Sequence, residues 1–174
     1  LYYPGTSALL TLPMSLVGVN YWFLQLFVAL ISLTALLAAR QYFSIKELGY
    51  IGLLVPVLLA CSSIYISNIH AILSDGIFLT FYLLELLSWR TFTTTTNKYY
   101  LYFCIFLVGF SALIRFHGIF LCTALSLSLF IKAIFIDKNN RKQGLIQALI
   151  ASIIIFFPFT IWTIRNFYMY TPDT

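Results

Sequence analysis

The chain has 174 residues, of which 61% are hydrophobic and only 9% are charged, and its formal net charge at pH 7 is +5. Soluble domains carry about 25% charged residues, so this composition excludes a water-soluble globular protein. Apolar runs such as residues 150–159 lack the alternating polar positions of a membrane β-barrel strand. The sequence therefore predicts an all-α protein in a lipid bilayer, where helices satisfy their own backbone hydrogen bonds.

The first 20 residues precede the long apolar segments and form a segment of their own. Pro4 and Gly5 suit a turn, and Pro13 and Gly18 interrupt the apolar run that follows them. We expect residues 1–20 to lie along the outer membrane interface as a juxtamembrane helix, or to form a tight re-entrant segment.

Six apolar segments without clustered charges are predicted to cross the membrane as a helical bundle. A span needs about 20 mostly apolar residues, and two of the six are shorter, which flanking polar residues or local bilayer thinning can accommodate. The segments form a single transmembrane unit within residues 1–174, and we expect residues 165–174 to begin an outer loop. The predicted spans cover residues 21–39, 49–66, 76–89, 99–114, 118–136 and 144–164.

The chain begins at Leu1 without Met and ends shortly after a Pro turn, so we expect it to be an excerpt of a longer protein. Basic residues near short loops stay on the cytoplasmic side. If the loops alternate between the two faces, one set holds eight Lys and Arg residues and the other holds only Arg115 and Arg165. This predicts extracytoplasmic termini in a bacterial inner membrane or the endoplasmic reticulum membrane. The anionic cytoplasmic leaflet accounts for the excess of positive charge, so no nucleic-acid partner is expected.

Six polar side chains on the predicted outer face form the candidate site. Ionisable groups at membrane depth are costly and are usually functional. Asp75 opens a predicted helix, where an acid is favoured by the helix dipole, and it is also a candidate ligand for a cation or a sugar hydroxyl. Arg115 needs an anion such as Asp75 or a lipid phosphate, because its planar fork suits phosphate oxygens. The alternative is that Arg115 only anchors the helix end at the membrane interface. The candidates are Tyr3, His70, Asp75, Arg115, His117 and Arg165.

Metal binding has little support in the sequence. His70 and His117 lack a carboxylate cluster at fixed spacing. No cofactor is evident, and a divalent metal stays an unsupported alternative.

Four residues within the predicted spans are expected to be structural. Cys61, Cys104 and Cys122 show no CxxC spacing, so we expect them to be small buried hydrophobic residues. Glu85 lies close to Arg90, so we expect it to reach the cytoplasmic interface or to pair with that arginine.

The order of these features resembles that of the GT-C superfamily of polyprenyl-phosphate-sugar-dependent glycosyltransferases. This superfamily includes the protein O-mannosyltransferases and the aminoarabinose lipid A transferases. YYPG at 2–5 resembles the juxtamembrane segment of the family's first outer loop, and HAILSD at 70–75 resembles its acidic helix start. IRFHG at 114–118 resembles a basic-x-x-Gly corner, and PFTIWTIRN at 158–166 resembles the "PW…RN" helix end, with Phe159 in place of Trp.

The resemblance implies a membrane glycosyltransferase that moves a sugar from a polyprenyl- or dolichyl-phosphate carrier to a glycan, lipid or protein acceptor. It implies transfer on the extracytoplasmic face, with inversion. The family's catalytic acid lies in a loop that would precede Leu1, so Arg115 and Arg165 are expected only to stabilise the departing phosphate. The alternatives are a transporter or channel, and a non-catalytic assembly subunit in which Asp75, Arg115 and Arg165 tolerate replacement.

Overall fold

The computed structural model describes residues 4–43, 49–70, 72, 74–136 and 141–170, and these form eight α-helices and one π-helical turn without any strand. The predicted all-α class is therefore confirmed. In chain order the helices are α1 (Pro4–Val17), α2 (Tyr21–Tyr42), α3 (Ile51–Ala60), α4 (Ser63–His70), α5 (Ser74–Thr95), α6 (Lys98–Ile114), α7 (Gly118–Ile131), continued by the π turn Lys132–Ile136, and α8 (Arg141–Tyr170).

Three of the described helices are long and apolar enough to cross a membrane. They span Tyr21–Tyr42, Gly118–Phe135 and Arg141–Met169, with mean hydropathies of 2.1, 2.0 and 2.2. The helices α3 and α6 are apolar but shorter. The helix α5 has 22 residues, about 33 Å at 1.5 Å per residue. These helices confirm an integral membrane bundle, and the total of six spans stays a prediction.

Two predicted segments differ from the observed helices. The predicted span 49–66 is divided between α3 and α4, and α4 begins directly after Ser62, a residue type favoured before a helix start. Cys61 lies exposed at this break, so the expectation of a buried thiol is wrong there. The residues predicted to begin an outer loop at Arg165 instead continue α8 to Tyr170. No glycine or proline interrupts the helix between residues 159 and 170.

The helix α6 lies at the centre of the bundle. It packs against α5 on one side, against α7 and α8 on the other, and against α1 near its C-terminal end, while α2 packs against α5. Cys104 and Cys122, which are fully buried as expected, belong to the apolar core shared by α6, α7 and α8. A second apolar cluster joins Val28, Ile77 and Ile114 at the opposite side of α6.

Glu85 departs from its expected placement. Its side chain is only 7% exposed within α5, and its Oε2 atom is buried without a hydrogen-bond partner among the described residues. The expectation that it reaches the interface or pairs with Arg90 is therefore wrong. Arg90 instead donates to the backbone oxygen of Tyr42, and its guanidinium lies 5.5 Å from the centroid of the Tyr42 ring. This contact joins the C-terminal ends of α2 and α5.

Two glycines allow helices to approach α6 at backbone contact. A Cβ atom on Gly118 would lie 2.5 Å from the Ala112 Cα atom, and one on Gly5 would lie 2.7 Å from the Leu113 carbonyl carbon. Both distances are shorter than van der Waals contact. The starts of α7 and α1 can therefore occupy their positions beside the C-terminal end of α6 only because these residues lack a side chain.

Gly118→Ala tests this close approach. We expect the substitution to lower the free energy of unfolding by about 3 kcal/mol, because the added methyl group must push α7 away from α6. The matched control is Gly76→Ala, because a Cβ on Gly76 would lie 3.6 Å from the Ser32 Oγ atom, an ordinary contact. Thermal unfolding in detergent measures both variants. Equal stability of the two variants would contradict the predicted contact.

Candidate functional site

Arg115 stands at the corner between α6 and α7. Its backbone is extended, with φ −148° and ψ 147°, and its N–H donates to the Ser111 oxygen at 3.0 Å, which closes α6. The Gly118 N–H then donates to the Arg115 oxygen at 2.9 Å, and α7 begins. The chain reverses within three residues here, so the guanidinium extends from the end of the central helix.

An ion pair connects this corner to the start of α5. The Arg115 Nη2 atom contacts the Asp75 Oδ1 atom, and the Arg115 Nε–H donates to the Ser74 Oγ atom at 3.1 Å. Asp75 lies in the first turn of α5, where its charge also favours the helix dipole. Asp75 therefore occupies the helix-start position predicted for it, and it is the anion that the structure provides for Arg115.

The guanidinium keeps part of its hydrogen-bonding capacity. The Arg115 and Asp75 side chains are 36% and 38% exposed. A guanidinium has five N–H donors, and the contacts described above engage its Nε atom and one Nη atom. Its remaining donors can bind a further anion without disrupting the pair.

The helix α1 covers the end of the bundle next to this corner. Gly5 contacts the backbone at Leu113, two residues before Arg115. Leu9 and Leu10 pack on the apolar cluster formed by α2, α5 and α6. The Thr6 hydroxyl oxygen is buried there without a hydrogen-bond partner in the described ranges. The helix α1 thus forms one border of the Arg115 corner.

Of the six candidate residues, the structure brings together Asp75 and Arg115. His117 is exposed directly before α7, and its side chain does not cap that helix. Arg165 is exposed on α8, and no hydrogen bond or ion pair joins it to another described residue. His70 ends α4 but its side chain lies outside the described part, as does all of Tyr3. Sequence reasoning missed the role of Ser74, although its position next to a helix-opening acid indicated it.

The helix α8, which carries Arg165, contacts α6 at Gly109. A Cβ atom on Gly109 would lie 3.2 Å from the Ile155 oxygen and 3.8 Å from the Pro158 Cγ atom. Beyond this contact, the ring centroids of Phe159 and Trp162 lie 5.6 Å apart. Pro158, at the start of the PFTIWTIRN segment, therefore packs against the central helix, and α8 continues from there toward the end where Arg115 lies.

The described residues contain no group of three or more His, Cys, Asp or Glu side chains placed to hold a metal ion. The Arg115 corner offers cationic and hydroxyl donors rather than a set of metal ligands.

Comparison with known proteins supplies the family. The sequence profile described as dolichyl-phosphate-mannose-protein mannosyltransferase matches residues 4–162. The chain belongs to this family. No curated protein and no solved structure matches the sequence significantly. Membership confirms the resemblance to the GT-C superfamily and identifies a membrane glycosyltransferase of the type that uses a dolichyl-phosphate-linked sugar.

Most of the candidate site lies within the residues that the mannosyltransferase family profile matches. The match begins at the first residue of α1 and includes the Ser74, Asp75 and Arg115 contacts. It ends within α8, three residues before Arg165. The Arg115 corner therefore lies inside the family's matched region, whereas Arg165 lies just beyond it.

A double-mutant cycle of Asp75→Asn and Arg115→Gln measures the ion pair. Both side chains are more than one-third exposed, so solvent screens the pair, and we expect a coupling free energy of about 0.5 kcal/mol. Reversible unfolding of the two single variants and the double variant measures this coupling. Strictly additive effects would show that the two side chains do not stabilise each other.

Proposed function

We propose that the full-length protein transfers mannose from dolichyl-phosphate-mannose to a hydroxyl group of a protein on the extracytoplasmic side of the membrane. Family membership supports this donor and acceptor. The observation that carries the proposal is the partly exposed Arg115 guanidinium. Asp75 and Ser74 hold it at one end of the bundle and leave some of its N–H donors unused. In this proposal the dolichyl chain lies in the bilayer and its phosphate contacts Arg115.

The proposed role of Arg115 follows from where charge develops during transfer. The acceptor oxygen forms a bond to the anomeric carbon while the bond from that carbon to the phosphate oxygen breaks. The acceptor proton passes to a general base, and negative charge accumulates on the departing dolichyl phosphate. A fixed guanidinium stabilises this charge. The Asp75 carboxylate is engaged by Arg115, so we do not assign it as the general base.

Helix geometry supports Arg165 as a second phosphate ligand. The helices α6 and α8 run in the same direction, because Gly109 contacts α8 at Ile155 while residues nearer the start of each helix line a common cavity. Arg165 lies ten residues after Ile155, so it extends about 15 Å beyond this contact. Arg115 lies about 9 Å beyond Gly109. Both arginines therefore lie beyond this contact, toward the same end of the bundle.

The distribution of basic residues supports an extracytoplasmic position for this end. Arg115 and Arg165 are the two basic residues assigned to the outer loops, and the other eight belong to the opposite side. Short loops rich in Lys and Arg stay in the cytoplasm. We therefore place the Arg115 corner on the extracytoplasmic face.

Arg115→Gln in the full-length protein tests the proposal. We expect the transfer of mannose from dolichyl-phosphate-mannose to an acceptor peptide to fall about a hundredfold, because a positioned donor to the developing charge is lost. Arg115→Lys keeps the charge but loses the planar fork, so its activity should lie between those of the Arg115→Gln variant and the wild type.

The matched control is Arg40→Gln, because Arg40 is exposed at the C-terminal end of α2, away from the Arg115 corner. Its activity should equal that of the wild type. Thermal unfolding of each variant shows whether the fold is kept. A folded Arg115→Gln protein with full activity would overturn the proposal, and it would favour a non-catalytic assembly role instead.

Arg165→Gln tests the second phosphate ligand. We expect kcat/KM for dolichyl-phosphate-mannose to fall about tenfold, because one charge-assisted hydrogen bond to the phosphate is lost. The KM of the acceptor peptide should stay the same. A change confined to the acceptor KM would place Arg165 at the acceptor instead of the carrier.

A further inference from the structure

A cavity lies at the end of α6 opposite to Arg115. Its volume is about 620 Å³, and it lies among the C-terminal end of α5, the first half of α6, the π turn after α7 and the first half of α8. The helix α6 has 17 residues, so about 25 Å separates this end from the Arg115 corner. The cavity is therefore distinct from the proposed carrier site.

Two lysines give the cavity a positive edge. Lys98 is the exposed first residue of α6, and Lys132 is half-buried with its Nζ atom 4.1 Å from the centroid of the Phe92 ring. The start of α6 adds the partial positive charge of the helix dipole. None of the described lining residues is acidic. This edge of the cavity therefore favours an anionic group.

The remaining walls of the cavity are mainly apolar and open to the surroundings of the bundle. Tyr102 and Phe106 on α6 are each 61% exposed, and Ile150 and Ile154 on α8 are 52% and 53% exposed. Ala148 and Ala151 form a deeper, buried part of the wall. Since exposed apolar side chains of a membrane helix face lipid, a hydrocarbon chain can enter this cavity sideways from the bilayer.

We propose that this cavity binds an anionic glycerophospholipid of the adjacent leaflet. The lipid phosphate contacts Lys98 and Lys132, and one acyl chain lies along Tyr102, Phe106 and Ile154. Charge complementarity supports this occupant, because basic pockets between transmembrane helices on the cytoplasmic side bind anionic head groups. The volume is also within the range of about 300–1,000 Å³ that is typical of small-molecule sites. This inference does not rest on the proposed transfer reaction.

The test measures the binding of phosphatidylglycerol and phosphatidylcholine with identical acyl chains to the full-length protein by native mass spectrometry. We expect the wild type to prefer phosphatidylglycerol. Lys98→Met and Lys132→Met keep the apolar length of each side chain but remove its charge. Each substitution should reduce the affinity for phosphatidylglycerol about fivefold, with little change for phosphatidylcholine.

Arg40→Met is the matched control, because it removes an exposed positive charge from a residue that does not line the cavity. It should keep the preference for phosphatidylglycerol, and an equal loss in this variant would overturn the proposal. Ala151→Phe fills the cavity without changing charge and should weaken the binding of both lipids. Tighter binding of dolichyl phosphate than of phosphatidylglycerol, lost in both lysine variants, would assign the cavity to the carrier and overturn the proposal.

Discussion

Backbone contact at glycine is the constraint on which this bundle depends. Lipid does not drive helices together as water does, so helices in a membrane associate through close packing at small residues. Gly5, Gly109 and Gly118 each bring a neighbouring segment against the central helix α6. Two of these contacts lie beside the C-terminal end of α6, where the chain turns at Arg115. The packing that holds the bundle together therefore also positions the candidate site.

The two ends of α6 have different chemistry. At its C-terminal end, one arginine is held by an acid and a hydroxyl from the start of α5, and the pair is accessible. At its N-terminal end, two lysines border an apolar cavity. We propose that the two ends contact different anionic groups. The rigid central helix keeps the two regions apart.

Some buried polar groups in the bundle have a hydrogen-bond partner, and others do not. Cys104 lies within 3.8 Å of the Glu85 backbone oxygen, and Tyr65 donates to the Ser32 backbone oxygen at 2.5 Å. The Glu85 Oε2 atom and the Ser32 hydroxyl oxygen are buried without a partner among the described residues. Burying a polar group without a hydrogen bond costs free energy, so these positions oppose the stability that the glycine contacts supply. These two positions lie on α2 and α5, whereas the unpartnered Thr6 hydroxyl lies on α1, which borders the Arg115 corner.

The sequence by itself determined the membrane environment, the helical class and the family, because apolar length and the order of short motifs along the chain are local properties. It also singled out Asp75 and Arg115 by their cost at membrane depth. Only the tertiary structure decided that these two residues pair, because the start of α5 and the end of α6 meet through packing between helices. The same packing buried Glu85 and formed the cavity beside Lys132. No sequence pattern predicts which helix faces meet.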